Sequence, residues 1–150
     1  DMYVAVPYEA DAEKGNTGAS SNMKPVAGTI ARGNVPYEYA DTNADYEKAK
    51  TDLKSPLVQD EANLEQGKKM YTIYCVSCHG KKGDGNGYVS QADKFAGIPS
   101  YKDRDITEGS IYHVLMYGKN LMGSHASQVN AKERWQISQY VISLREKLIK

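Results

Sequence analysis

From about Gln59 to the end of the chain, apolar residues return every three or four positions; before that point they do not. The segment DEANLEQGKKMYTIYC places Leu64, Met70, Tyr71 and Tyr74 on one side of a helix. TEGSIYHVLMYG predicts a second helix. Thr107 is its candidate N-cap, Ile111, Val114 and Leu115 share a face, and Gly118 supplies the stop. The last segment, NAKERWQISQYVISLREKLIK, opens on Asn130 with Glu133 at the third position, a variant of the capping box. Ile137, Val141, Leu144 and Leu148 then form an apolar stripe. Between the helices lie irregular stretches: HGKKGDGNGY with Gly80, Gly83, Gly85 and Gly87, a loop from Phe95 to Asp105 containing Pro99, and KNLMGSHASQV. Nothing in this half alternates as a strand does. Residues 60–150 therefore read as an all-α domain with large loops.

Residues 1–59 carry Gly, Ser, Asn, Pro and scattered Tyr, with no sustained helical period. Such a segment cannot bury enough apolar surface to offset its ordering entropy alone. Thr42 to Leu53 predicts one short helix, ending ahead of Ser55-Pro56 because the residue before proline avoids the α region. Two readings of the rest compete, a disordered linker and an extended arm that orders along a partner. The tyrosines and prolines, as anchors, favour the arm. The following domain has a thin core for its size, so a large apolar cofactor inside it would add stability.

Lys plus Arg number 19 and Asp plus Glu number 19, so the chain lacks the basic excess that nucleic-acid binding usually shows. Mean hydropathy is −0.65, and no apolar run approaches the roughly 18 residues of a membrane-spanning helix. The sequence opens at Asp1 with no basic n-region or apolar h-region, so export would require that a signal has been removed or omitted.

The chemistry concentrates in YCVSCHG, residues 74–80, which holds both cysteines. Three residues apart, they would close too short a loop to staple a fold. A redox dithiol of the thioredoxin type needs a preceding strand and a βαβ setting, and here a helix precedes. A structural zinc site needs four ligands, and only His113 and His125 remain, without paired spacing. The third reading is covalent haem. In C-x-x-C-H, Cys75 and Cys78 add across two vinyl groups, and His79 is carried beneath the iron. The sixth ligand is expected to be Met122, in a glycine-flanked loop whose thioether suits iron in both redox states. His125 and Met116 are the alternatives. His113 lies within a predicted helix, where packing is the simpler role. The carbonyl of Ile98 or Pro99 is the expected acceptor for the second nitrogen of His79.

With these residues placed, the last ninety or so residues resemble a class I cytochrome c. The likeness rests on Gly67 and Tyr71, CVSCH, YGKNLMGSHASQ, Trp135 and Tyr140. It implies that the first and last helices cross with Gly67 facing Tyr140. The segment MKPVAGTIARGNVPYEY, through Met23, Pro25, Gly28, Thr29, Arg32, Gly33 and Pro36, is similar to the arm that precedes the haem domain in the monohaem cytochrome c subunits of bacterial alternative complex III. That resemblance implies one haem c and one-electron transfer without catalysis, as a subunit of a quinol-oxidising respiratory complex. It implies a multihaem cytochrome as a partner, a terminal oxidase or mobile carrier as acceptor, and no nucleic acid. It places the chain on the periplasmic side of the bacterial inner membrane, exported, and associated with the membrane through partners or an N-terminal lipid. A free soluble periplasmic cytochrome c, and a haem enzyme or sensor with an open sixth site, remain the alternatives.

Overall fold

The computed structural model describes residues 3, 7–14, 18, 20–22, 24–92 and 97–150; Met23 and Phe95, used above, lie outside them. Among the described residues six helices appear: α1 Asn43–Asp52, α2 Glu61–Tyr74, α3 Val76–His79, α4 Tyr88–Gln91, α5 Glu108–Tyr117 and α6 Ala131–Ile149, with a 3-10 turn at Tyr101–Asp103. Among the described residues there is no strand, only isolated bridges at Glu13–Ser20 and Lys119–Met122. The fold is all-α, as expected. No helix among the described residues is long and apolar enough to cross a membrane.

The caps are those the sequence offers. Thr42 Oγ1 accepts from Asp45 N at 3.1 Å, and Asp60 Oδ1 from Asn63 N at 2.8 Å. Asn130 and Glu133 close their capping box in both directions. Thr107 does the same with Ser110, a partner the sequence reading had not picked out. Each box satisfies orphan N–H groups of a first helical turn.

The helices α2 and α6 cross where α2 has no side chain. A Cβ on Gly67 would run into the backbone carbonyl of Gln136 and sit 3.1 Å from Tyr140 Cβ. The expected meeting of Gly67 with Tyr140 therefore occurs, with the Gln136 backbone nearer still. Tyr71, one turn on, is 1% exposed and meets the Tyr140 ring edge-on at 5.4 Å. Around this crossing Tyr71, Cys75, Leu115, Val129, Ile137, Val141 and Leu144 form one buried cluster.

The chain divides into two compact units, Asp1–Gly33 and Asn34–Lys150. In the first, Glu13 bridges Ser20, Ser21 N donates to Ala12 O at 2.8 Å, and Asn22 bonds Asp11. Tyr3, Tyr8, Val26 and Ile30 are exposed. The second unit contains all six helices, so the boundary expected at residues 59 and 60 falls inside it. Residues 34–57 form a strap along α5. Ala49 is fully buried, and a Cβ on Gly109 would strike its carbonyl. Thr107 Oγ1 donates to Lys50 O at 2.7 Å, Tyr117 OH to Tyr39 O at 2.7 Å, and Gln139 Nε2 to Leu57 O at 3.0 Å. Tyr37, Tyr39 and Tyr46, read above as anchors for a partner, contact their own domain. Outside α1 the strap has no helical period, because it docks through single side chains and carbonyls instead of one continuous face. In consequence α5 is buried on two sides: Leu115 meets the core, while His113 meets the strap.

Candidate haem site

Cys75 ends α2 and begins α3, so its backbone turns once without leaving the helical region. Cys78 N and His79 N both donate to Cys75 O, at 3.2 and 2.9 Å. That single turn sets the two sulfurs on one side, because residues three apart share a helix face. Both cysteines are free; Cys75 is buried and Cys78 half-buried. Burial, then the neighbouring Cys78, pushes the Cys75 thiol up to about 12. A dithiol nucleophile needs the opposite shift, toward easier ionisation. Among the described residues no group of three or more His, Cys, Asp or Glu is placed to hold a metal ion.

The glycine loop folds back over this turn. Gly85 N donates to His79 O at 3.0 Å, Gly87 N to Cys78 O at 3.2 Å, and Tyr71 OH to Gly80 O at 2.8 Å. Gly85 has φ +78°, and a Cβ there would strike the carbonyl of Ile98. A residue with a side chain fails at this position on both counts. The contact corrects one expectation. Ile98 does approach the loop, with its carbonyl close to Gly85, but His79 Nδ1 is buried with no hydrogen-bond partner, so neither the Ile98 nor the Pro99 carbonyl accepts from it. The His79 ring instead stacks on Tyr101, centroids 5.1 Å apart and planes 24° from parallel. Sequence reasoning passed over Tyr101, which sits in an aperiodic loop and is fixed by Tyr101 N donating to Gly83 O at 2.9 Å. Burial, and then the charge of His125, lowers the basicity of His79. Both favour neutral imidazole, the form that ligates a metal.

Met122 closes a tight hairpin. Lys119 N donates to Met122 O at 2.9 Å and Met122 N to Lys119 O at 3.1 Å, with Asn120 at φ +55°. Asn is among the few side chains that tolerate that conformation. The hairpin leaves Leu121 81% exposed and packs the Met122 side chain against the cluster that contains Cys75. Ser124 Oγ donates to Met116 O at 2.6 Å and His125 N to Leu115 O at 2.9 Å, tying the loop to α5. Of the alternatives, His125 Nδ1 lies 3.0 Å from Gly123 O. His113 is on the strap side of α5, with Nδ1 3.0 Å from the Tyr37 hydroxyl.

Two free thiols on one turn, an imidazole whose buried nitrogen has no internal partner, and a thioether against the same core suit a covalently held haem. An all-α domain that folds around such a turn is a class I c-type cytochrome. Residues 62–141, more than half of the chain, match the family Cytochrome C oxidase, cbb3-type, subunit III, and the chain belongs to that family. Haem c and haem-based electron transfer follow from that membership. Among solved structures the chain is similar to one from the Kuenenia stuttgartiensis reducing HAO-like protein complex Kustc0457/Kustc0458. The TM-score is 0.53 and the identity 27%, over 62% of this chain and 48% of that one. The chain thus spans about half the length of that neighbour. No curated protein sequence matches it.

Proposed function

We propose that the protein is a one-electron relay with a single haem c, fastened by Cys75 and Cys78 and ligated by His79 and Met122. The observation that carries this reading is the buried, partnerless Nδ1 of His79 beside two free thiols. Buried polar atoms are nearly always satisfied, and a metal-ligating histidine binds through one ring nitrogen while the other is left to a separate partner. The haem supplies an iron that gains and loses one electron. The chain's own residues do the rest. Cys75 and Cys78 fix the ring covalently, while the loop 80–87 and Tyr101 restrict the His79 imidazole. The hairpin at Lys119–Met122 delivers a soft sulfur, which raises the potential relative to a second nitrogen. Tyr71, Leu115 and Val129 keep water from the interior.

The setting we propose is a subunit of a quinol-oxidising complex of the alternative complex III type, on the periplasmic face of the bacterial inner membrane. Electrons would arrive from a multihaem cytochrome and leave to a terminal oxidase or mobile carrier. The similarity of residues 23–36 to the arm of those subunits supports this, as does a structural neighbour that itself belongs to a redox complex. Native mass spectrometry tests the first part: one haem added to the 16.6 kDa chain, together with any lipid. Two haems, or none surviving denaturation, overturns it. Purification from membranes tests the second. Co-elution with a multihaem subunit supports the assignment, and recovery as a lone monomer refutes it.

A further inference from the structure

Of the twelve tyrosines, Tyr37 is the one whose hydroxyl is hydrogen-bonded to an imidazole. Its hydroxyl lies 3.0 Å from Nδ1 of His113, and His113 is 3% exposed. Burial lowers the basicity of His113, which therefore offers a neutral acceptor near neutral pH. Burial, and then Tyr112, pushes the Tyr37 hydroxyl well above its ordinary range, so it keeps its proton and donates. Other buried tyrosines lack this arrangement. The hydroxyls of Tyr71 and Tyr117 donate to carbonyl oxygens, which accept a hydrogen bond but not a proton.

The pair also ends a continuous path of rings. Trp135 on α6 stacks on Tyr112 with centroids 4.3 Å apart, and Tyr112 meets Tyr37 at 5.3 Å. Tyr112 is a poor place for a positive charge to stop. The Arg134 guanidinium lies 5.1 Å from its ring and donates to its hydroxyl at 3.3 Å. An adjacent cation opposes removal of an electron there, and no base is at hand for the proton.

We propose that Tyr37 and His113 form a proton-coupled redox site, a trap for oxidising equivalents that reach it from Trp135 through Tyr112. The oxidant is a strong one-electron acceptor of the kind that peroxide chemistry or photo-oxidation generates. One electron leaves Tyr37 for that oxidant, and in the same step the phenolic proton crosses to His113 Nδ1. The products are a neutral Tyr37 radical, a protonated His113 and the reduced oxidant. Transfer within hydrogen-bond reach avoids forming a charged phenol radical in a half-buried site. Asp41 and Asp45 favour the imidazolium, and Lys119 opposes it. Because the proton stays in the pair, one electron from any reductant restores the starting state. The step needs none of the residues assigned to haem, so it stands or falls apart from the relay function.

The test oxidises the native holoprotein with photogenerated tris(bipyridine)ruthenium(III), freezes it, and records high-field electron paramagnetic resonance. A hydrogen bond from protonated His113 lowers the largest g-value of the Tyr37 radical to one narrow position, a radical without a hydrogen bond stays unshifted, and exposed tyrosines such as Tyr3 and Tyr8, bonded to varying water, give a broad spread. The expected result is a shifted component that Tyr37→Phe removes, that His113→Phe moves to the unshifted position, and that forms more slowly in deuterium oxide. Absence of the component from the unaltered protein, its survival in Tyr37→Phe, or its indifference to His113→Phe overturns the proposal. Should His113→Phe not fold, Tyr37→Phe and the deuterium effect decide: formation unslowed in deuterium oxide overturns the coupling.

Discussion

The turn that carries His79 and the strap-side pocket that carries His113 use the same materials, close backbone and tyrosine rings, to opposite ends. Around His113 three polar groups are turned to neighbours within the chain. Tyr37 meets its Nδ1, Tyr117 bonds the backbone of Tyr39, and Lys119 sits 3.6 Å from the Tyr46 ring centroid. Around His79 the backbone is equally well bonded, yet the side chain keeps a buried nitrogen without a partner and two cysteines remain free. A buried histidine is thus not informative by itself. What separates a packing histidine from a candidate ligand is whether the chain has already satisfied it.

Substitutions can push on each side of this contrast. The largest effect is expected from Gly67→Val, which forces a branched side chain into the Gln136 backbone and removes the support of the cysteine turn. Stability should fall by about 4 kcal/mol, at the top of the usual range for single substitutions. Denaturant unfolding followed by far-ultraviolet dichroism measures it, and a near-normal midpoint would remove the helix crossing from the account. Gly109→Ala should cost about 2 kcal/mol by overpacking against the Ala49 carbonyl. The haem spectrum should stay unaltered, because the strap lies on the other side of α5. A changed spectrum would mean that the two sides are coupled.

Met122→Ala acts in the reverse sense. Its signature is loss of the long-wavelength charge-transfer band of methionine–iron ligation and a fall in potential, read by redox titration. If Met116→Ala does this and Met122→Ala does not, the ligand is wrongly assigned. Tyr37→Phe keeps the ring and removes one hydrogen bond to His113, so thermal melts should report a loss of about 1 kcal/mol.

The smallest effect is a pH dependence. Burial lowers the basicity of His113 in the folded chain below its ordinary 6.5. The unfolded chain therefore binds more protons once the pH drops below about 6.5, and stability must decline with acid from there until the folded residue is also protonated. Melting temperature against pH should fall in that window, and His113→Phe should flatten the slope. An equal slope in the variant assigns the acid sensitivity elsewhere.

Four of the six described helices, α1, α2, α5 and α6, were legible because their information is local. The stripe Ile137, Val141, Leu144 and the Asn130–Glu133 box are read within a few residues of one another. The C-x-x-C-H turn is local too, and Cys75, Cys78 and His79 fall on one turn. The docking of the strap was not legible, since Ala49 on Gly109 and Tyr37 on His113 join positions sixty or more apart through single contacts with no period. Tyr101 escaped for the same reason. The acceptor expected for His79, the carbonyl of Ile98 or Pro99, is not met: Nδ1 is buried without a partner, a detail of loop placement that no spacing encodes.

The burial of Cys75 has a temporal consequence. In the folded chain this sulfur is 6% exposed, with Tyr71 and Leu115 in the same cluster. Its burial raises the thiol well above neutrality, so in place it is both hard to reach and un-ionised. Under the proposed assignment, the thioether at Cys75 must be made while the polypeptide is still open, before α2 and α6 meet. Folding then acts as a ratchet that locks in whatever was, or was not, attached beforehand.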